Sequence, residues 1–129
     1  SNVIKTLKSN KACGVDNVKN EFLKCCTQPF LSVITKFFNI VLESATVPTD
    51  WAVGLIKPLY KNKGAASDPD NYRGITLLSC LGKLFTALIN ARLSNFLHAS
   101  GTIGDEQAGF RAGHSTLDHV FTLHSIINI

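Results

Sequence analysis

Between Pro29 and Pro48 the chain carries an unbroken apolar stripe with helical spacing: Phe30, Val33, Ile34, Phe37, Phe38, Val41, Leu42 and Ala45. Residues that recur at i, i+3, i+4 and i+7 fall on one side of a helix. Pro29 suits the first turn, where its missing N–H has no intrahelical partner to lose. Pro48 closes the segment, because proline disfavours helical backbone in the residue before it. A chain with this element must build its core against one side of a long helix. The aromatic pairs on the stripe are read as core and are given no ligand role.

The rest of the chain reads as shorter pieces around that helix. Asp16 stands where an N-cap would, with Val15, Val18, Phe22 and Cys26 following, so a short helix is predicted over residues 16–26. From Trp51 to Tyr60 the pattern turns extended, with Trp51, Val53, Leu55 and Leu59 on one parity and Lys57 between them. Pro58 restricts this segment to an edge strand or half of a hairpin. Residues 61–71 are rich in turn formers, and residues 72–77 are long enough for the return strand. A second long helix is predicted over residues 79–98, with Leu81, Leu84, Phe85, Leu88, Ile89, Leu93, Phe96 and Leu97 on one face. Gly101 and Gly104 break it. Ser115 and Asp118 form a capping-box pattern ahead of a last helix bearing Leu117, Val120, Phe121, His124 and Ile127. The expected fold is α+β and mostly helical, with helices packed around a β-hairpin in a single domain over residues 1–129.

Composition fits that picture. The chain has 129 residues, 45% of them hydrophobic and 17% charged, which suffices for one core and leaves little room for a second. The start at Ser1-Asn2, without Met, is expected to mark a piece cut from a longer protein, with residues 1–2 a cloning remnant. No apolar run approaches the ~20 residues needed to cross a bilayer, and no signal peptide opens the chain, so an intracellular protein of cytoplasm or nucleus, with no membrane partner, is expected. Cys13, Cys25, Cys26 and Cys80 make no C-x-x-C pair and are expected to be reduced thiols.

The net charge of +4 is unevenly placed: residues 1–63 carry nine lysines and four acids, residues 64–129 four bases and five acids. A basic amino-terminal half can face phosphate, or can simply be solvated. Familiar catalytic patterns are missing. Neither G-x-x-x-x-G-K-[ST] nor G-x-G-x-x-G occurs. His114, His119 and His124 are five apart, which turns successive side chains about 140° around a helix and spoils a shared metal site. There is no G-x-S-x-G elbow, and the acids stand singly or in turn and cap positions. What remains is the hairpin, with Lys57, Lys61, Lys63 and Arg73 near its tip and return strand. A forked guanidinium beside an ammonium suits a polyphosphate, although spacing alone favours a solvated loop.

The order of the residues adds more. Lys11-Ala-Cys-Gly14-Val-Asp16, Val47-Pro48-Thr-Asp-Trp51, Ile56-Lys-Pro58-Leu-Tyr-Lys61-Asn-Lys-Gly64 and Asp70-Asn71-Tyr72-Arg73-Gly74-Ile75-Thr76-Leu77-Leu78-Ser79 follow one another in the chain. Leu81-Gly82-Lys83-Leu84-Phe85, Asn90-Ala-Arg92-Leu93 and Asp105-Glu-Gln107-Ala108-Gly109-Phe110-Arg111-Ala-Gly113-His-Ser115-Thr116-Leu-Asp118 continue the series. This succession resembles the reverse transcriptases of non-LTR, LINE-type retrotransposons over nearly the whole chain.

The resemblance implies the fingers subdomain of a right-hand polymerase, whose basic hairpin folds over the incoming deoxynucleotide. It implies that Lys61 and Arg73, with Lys63 as a further cation, contact the triphosphate. It also implies that Gln107, Gly109, Phe110 and Arg111 lie on the template side. The partners implied are an RNA or DNA template-primer and a dNTP. Gly74 stands where the family usually has proline, which loosens the backbone after Arg73. The family's palm carboxylates are absent from these residues, so Mg2+ is expected only for the complete polymerase, no cofactor for this piece, and no polymerisation by the piece alone. A different class is also expected to be able to use this sequence: a truncated or domesticated, non-catalytic nucleic-acid-binding or interaction module, a homodimer formed through apolar surface around residues 121–129.

Overall fold

A computed structural model describes residues 2–104 and 106–128, Asn2 by its backbone alone. Ser1, Asp105 of the Asp105–Asp118 motif and Ile129 of the apolar carboxyl end lie outside the described residues. The architecture is α+β and about half helical. The helices are α1 (Asn2–Thr6), α2 (Asn20–Lys24), α3 (Gln28–Ser44), α4 (Thr49–Ala52), α5 (Cys80–Ala99) and α6 (Thr116–Ile127). Strands β1 (Leu55–Tyr60) and β2 (Tyr72–Leu77) form one antiparallel ribbon. The chain divides into two compact units, Ser1–Ala91 and Arg92–Ile129, with the boundary inside α5.

The first unit holds the core. Ile34, Phe38 and Val41 of α3 are buried at i, i+4 and i+7, as the stripe predicts. Ile34 and Phe38 meet Leu23 of α2 and Cys80 and Leu84 of α5, with Val3, Ile4, Leu7, Val18, Trp51, Phe85 and Leu88 packed around them. Phe37, Phe38, Trp51 and Phe85 form a cluster with centroids 5.3–6.1 Å apart, edge-to-face in three of these pairs and tilted between Trp51 and Phe85, as aromatic rings prefer over a flat sandwich. The stripe is broader than the core it meets: Phe30, Val33 and Leu42 stay exposed.

Several predicted elements differ in detail. The helix over residues 16–26 shrinks to Asn20–Lys24: Asp16 bonds Val18 N–H with one oxygen and spends the other on a distant element, described below. Trp51 does not begin the strand. It sits in α4, a single turn entered at Pro48, and its ring enters the aromatic cluster; the extended segment starts at Leu55. Helix α3 ends before Pro48, at Ala45, which takes a left-handed conformation with φ of 51°. Within the first unit the helices do not pack around the hairpin. The core is helix on helix, and in β1 and β2 only Tyr60, Tyr72 and Leu77 are even half-buried.

In the second unit, α5 ends in a Schellman turn: Thr102 N–H bonds the Leu97 carbonyl, Gly101 N–H bonds that of His98, and Gly101 has φ of 62°. Helix α6 opens with the predicted capping box, Ser115 Oγ accepting from Leu117 N–H and Asp118 Oδ2 from Ser115 N–H. Its Leu117, Val120, Phe121, Leu123, Ile126 and Ile127 are all exposed.

Candidate nucleic-acid interface

The ribbon's register decides which cations can act together. Leu55 pairs with Leu77, Lys57 with Ile75, and Leu59 with Arg73. Paired residues of an antiparallel ribbon share a face, and successive residues alternate. Leu55, Lys57, Leu59, Arg73, Ile75 and Leu77 therefore lie on one face, and Ile56, Pro58, Tyr60, Tyr72, Gly74 and Thr76 on the other. The ladder extends one step beyond β1, where Lys61 N–H bonds the Asn71 carbonyl at 2.8 Å. Lys61 thus follows on the cationic face as the diagonal neighbour of Arg73, a separation of about 7–8 Å at the backbone.

The opposite face holds the loop together. The Tyr60 and Tyr72 rings pack 5.3 Å apart. The Tyr60 hydroxyl donates to the Gly64 carbonyl, and the Tyr72 hydroxyl to that of Ala66 at 2.8 Å. Asn71 Nδ2 donates to the Ala65 carbonyl at 2.9 Å and to Asp68 Oδ2 at 3.3 Å, and Asp68 Oδ1 accepts from Asp70 N–H. Gly64 has φ of +79°, and a Cβ there would lie 2.5 Å from the Asn71 side chain. This bonding gives the tip a definite shape. The Lys61 ammonium donates to the Asp70 carbonyl at 2.7 Å, which spends one of its three protons and leaves two for a ligand. Lys57, Lys63 and Arg73 are exposed.

The hairpin is anchored at its base by a contact that sequence spacing could not reveal. Asp16 Oδ2 accepts from Ser79 Oγ at 2.7 Å and from Cys80 N–H at 3.1 Å, while Oδ1 accepts from Val18 N–H at 3.2 Å. Ser79 Oγ in turn accepts from Gly82 N–H. A carboxylate 63 residues away thus caps α5, where backbone N–H groups lack partners and the helix dipole favours negative charge. Beside it, Gly14 lies so close that a Cβ would stand 2.4–2.6 Å from the Leu78 carbonyl group and Ser79 nitrogen. The Lys11–Asp16 and Asp70–Ser79 motifs therefore meet in space. The missed residues are Gly14, Asp16 and Ser79, and their membership of two quoted motifs was the one signal available.

Glu21 ties down the segment before Gly14. Its Oε1 accepts from Asn10 N–H, and that bond, aided by Lys19 and Lys24, holds its carboxyl below the usual glutamate range. The Asn20 amide donates to the Lys8 carbonyl, and Lys24 Nζ to Ser9 Oγ. Burial pushes the Cys80 thiol up, which fits an inert core thiol.

Gln107, Gly109, Phe110 and Arg111 belong to the second unit. Arg111 Nη1 donates to the carbonyls of Gly104 and Gln107, at 2.8 and 3.3 Å, and Gln107 Nε2 to that of Gly109. Phe110 takes a left-handed φ of 60° with its ring in solvent. Among the described residues no three His, Cys, Asp or Glu side chains stand together as a metal site. Both oxygens of Asp16 are taken by N–H and O–H donors, and Glu21 Oε1 by Asn10 N–H with its Oε2 buried, so these two carboxylates do not fit the magnesium ions of a complete polymerase. No helix is long and apolar enough to cross a membrane, among the described residues.

No protein-family model matches the chain. Curated proteins do. It is 34% identical over 125 residues to a probable RNA-directed DNA polymerase from transposon X-element, and 35% identical over 120 residues to one from transposon BS, both of Drosophila melanogaster. It is 32% identical over 127 residues to the RNA-directed DNA polymerase from mobile element jockey of the same species. Its homologues are non-LTR retrotransposon reverse transcriptases. These matches take in 93–98% of this chain but only 13–14% of each relative. The resemblance read from the motifs is thereby borne out, and the chain spans about one seventh or less of the length of these relatives.

Proposed function

We propose that this chain is the part of an RNA-directed DNA polymerase that grips the incoming nucleotide's phosphates and the template, a fingers-like segment that does not polymerise alone. The observation that carries this reading is the shared face of Lys61 and Arg73, set on a loop already shaped by Tyr60, Tyr72 and Asn71. Arg73 offers a bidentate fork, and Lys61 and Lys63 offer point charges. Cations fixed before the ligand arrives need no reorganisation to stabilise a leaving pyrophosphate. Gln107, Gly109, Phe110 and Arg111 form the template-side segment, where the exposed Phe110 ring is suited to stacking on a base.

Titration of a fluorescent deoxynucleoside triphosphate at low salt tests this. The Arg73→Ala variant is expected to bind about tenfold more weakly, a difference of about 1.4 kcal/mol. Equal affinity of variant and wild type refutes the reading.

A second reading draws on α6. Six exposed apolar side chains on a twelve-residue helix make a patch of the kind that marks interaction surfaces. In that reading the chain is a non-catalytic module that forms a homodimer through α6. A stable dimer with no nucleic-acid binding favours it; a monomer at high concentration removes it.

A further inference from the structure

The clamp at the hairpin base brings two cysteines from distant parts of the sequence to one backbone crossing. Gly14 lies so close to the chain entering α5 that a Cβ on it would stand 2.4–2.6 Å from the Leu78 carbonyl group and the Ser79 nitrogen. Cys13 directly precedes Gly14 on one side of this contact, and Cys80 directly follows Ser79 on the other. Asp16 fixes the crossing with two hydrogen bonds, from Ser79 Oγ at 2.7 Å and from Cys80 N–H at 3.1 Å. A disulfide asks for Cα atoms about 4.4–6.8 Å apart, a separation that residues flanking so close a contact can meet.

The charges around the Cys80 sulfur agree with this placement. Burial is the main influence and raises its pKa; Lys83 opposes that rise, Asp16 and Cys13 add to it, and the Gly14 N–H works against it. Cys13 is thus within electrostatic range of the Cys80 thiol, while Cys25 and Cys26 are not among the groups that act on it. The two thiols differ in access. Cys80 is 2% exposed, whereas Cys13 is half-buried and makes only a weak 4.0 Å contact to Asn17 Oδ1. Burial shields Cys80 from a dissolved oxidant, but a sulfur fixed beside it is presented at an effective concentration that no dissolved reagent reaches. All four cysteines are free thiols, so the crossing is described in its reduced form.

We propose that Cys13 and Cys80 are a redox-sensitive pair that closes into a reversible disulfide staple at the base of the hairpin, with a low-molecular-weight disulfide such as oxidised glutathione as the oxidant. The more accessible Cys13 reacts first: its thiolate attacks one glutathione sulfur, forming a mixed disulfide and releasing one glutathione thiolate. The Cys80 thiolate then attacks the Cys13 sulfur and releases the second. Two thiol protons and two electrons leave the chain, and the oxidant becomes two glutathione molecules. The staple joins the Lys11–Asp16 segment covalently to α5 where β2 gives way to it, adding a bond to a junction otherwise held by Asp16 and Gly14. It is independent of any ligand the hairpin takes.

Peptide mapping of the folded wild-type chain, equilibrated with mixtures of reduced and oxidised glutathione and then alkylated, tests this without any variant. Trypsin separates the cysteines into peptides 12–19, 25–36 and 74–83. Oxidation is expected to link 12–19 to 74–83 within one chain, with a mass lower by two hydrogens, and dithiothreitol is expected to undo it. The oxidised chain is expected to show a urea midpoint higher by about 1–2 M and slower amide exchange over residues 11–16. Cys13→Ser is expected to abolish both changes, and the double variant Cys25→Ser/Cys26→Ser to keep them. A link that forms equally well in urea, one dominated by 25–36, or one found only between chains overturns the proposal. So does glutathione that stays on Cys13 at every mixture, or a linked chain whose midpoint does not rise.

Discussion

Replacing Asp16 by Ala removes one carboxylate that accepts from three donors: Val18 N–H, Ser79 Oγ–H and Cys80 N–H. Two of those donors cannot turn to water, since Ser79 is 1% exposed and Cys80 2%. Leaving a buried donor without its partner costs about 1–3 kcal/mol, and hydrogen bonds to charged groups lie in the upper part of that range. The Ser79 hydroxyl can rotate, so its share is the smaller. The expected loss is about 3 kcal/mol, a large fraction of the roughly 5–15 kcal/mol that stabilises a typical domain.

A local cap would behave differently. If Asp16 served only the short helix that follows it, the loss would be about 1 kcal/mol and would be felt near residues 18–24. Urea unfolding followed by circular dichroism gives the magnitude, and amide hydrogen exchange gives the place. Protection is expected to fall at Cys80 and through the first turn of α5. Asp16→Asn keeps one acceptor and is expected to lose about half as much. An Asp16→Ala loss below about 0.5 kcal/mol, or exchange that quickens only over residues 18–24, refutes the trans-cap argument.

Other outcomes follow from neighbouring geometry. Gly14→Ala drives a Cβ to within 2.6 Å of the backbone at Leu78 and Ser79; with no flexible side chain to yield, it is expected to cost about 1–3 kcal/mol, read as a lower urea midpoint. Gly64→Ala puts a side chain at a φ of +79° against Asn71 and is expected to cost about 1–2 kcal/mol of loop order, seen as faster exchange over residues 61–71 and weaker triphosphate binding, with α3 unchanged. Glu21 has a lowered carboxyl pKa in the folded chain, so it contributes stability above the ordinary glutamate range that is lost as pH falls through its folded value. Glu21→Gln is expected to flatten the acid limb of a urea-midpoint against pH plot, and a limb identical to wild type contradicts this.

What was legible in the sequence depended on the range of the interaction. The α3 stripe, the α5 stripe, the capping box at Ser115 and the hairpin all rest on neighbours within a few residues, and all are present. Asp16 misled because a carboxylate at a helix start looks the same whether it caps the next turn or one 63 residues on. Trp51 misled because alternation over residues 51–59 is compatible with a strand, while the ring's edge-to-face fit with Phe37 and Phe38 outweighs one turn's worth of local preference. Within the site, the residue types were readable, but the register was not. Only the pairing of Leu59 with Arg73 places Lys57, Lys61 and Arg73 on one face.

The exposure of the hairpin then has a physical meaning. A two-stranded ribbon with neither face buried is marginal by itself, and this one keeps Leu55, Ile56, Leu59 and Ile75 largely open. Two devices hold it. At the tip, Tyr60, Tyr72, Asn71 and Asp68 bond the loop internally. At the base, Asp16 and Gly14 clamp the point where β2 gives way to α5, the helix whose first turns sit in the core. Stiffness is thus concentrated at the two ends, while the cationic face between them stays free for a ligand. An element anchored this way keeps Arg73 and Lys61 in register with each other without fixing the ribbon's faces against protein.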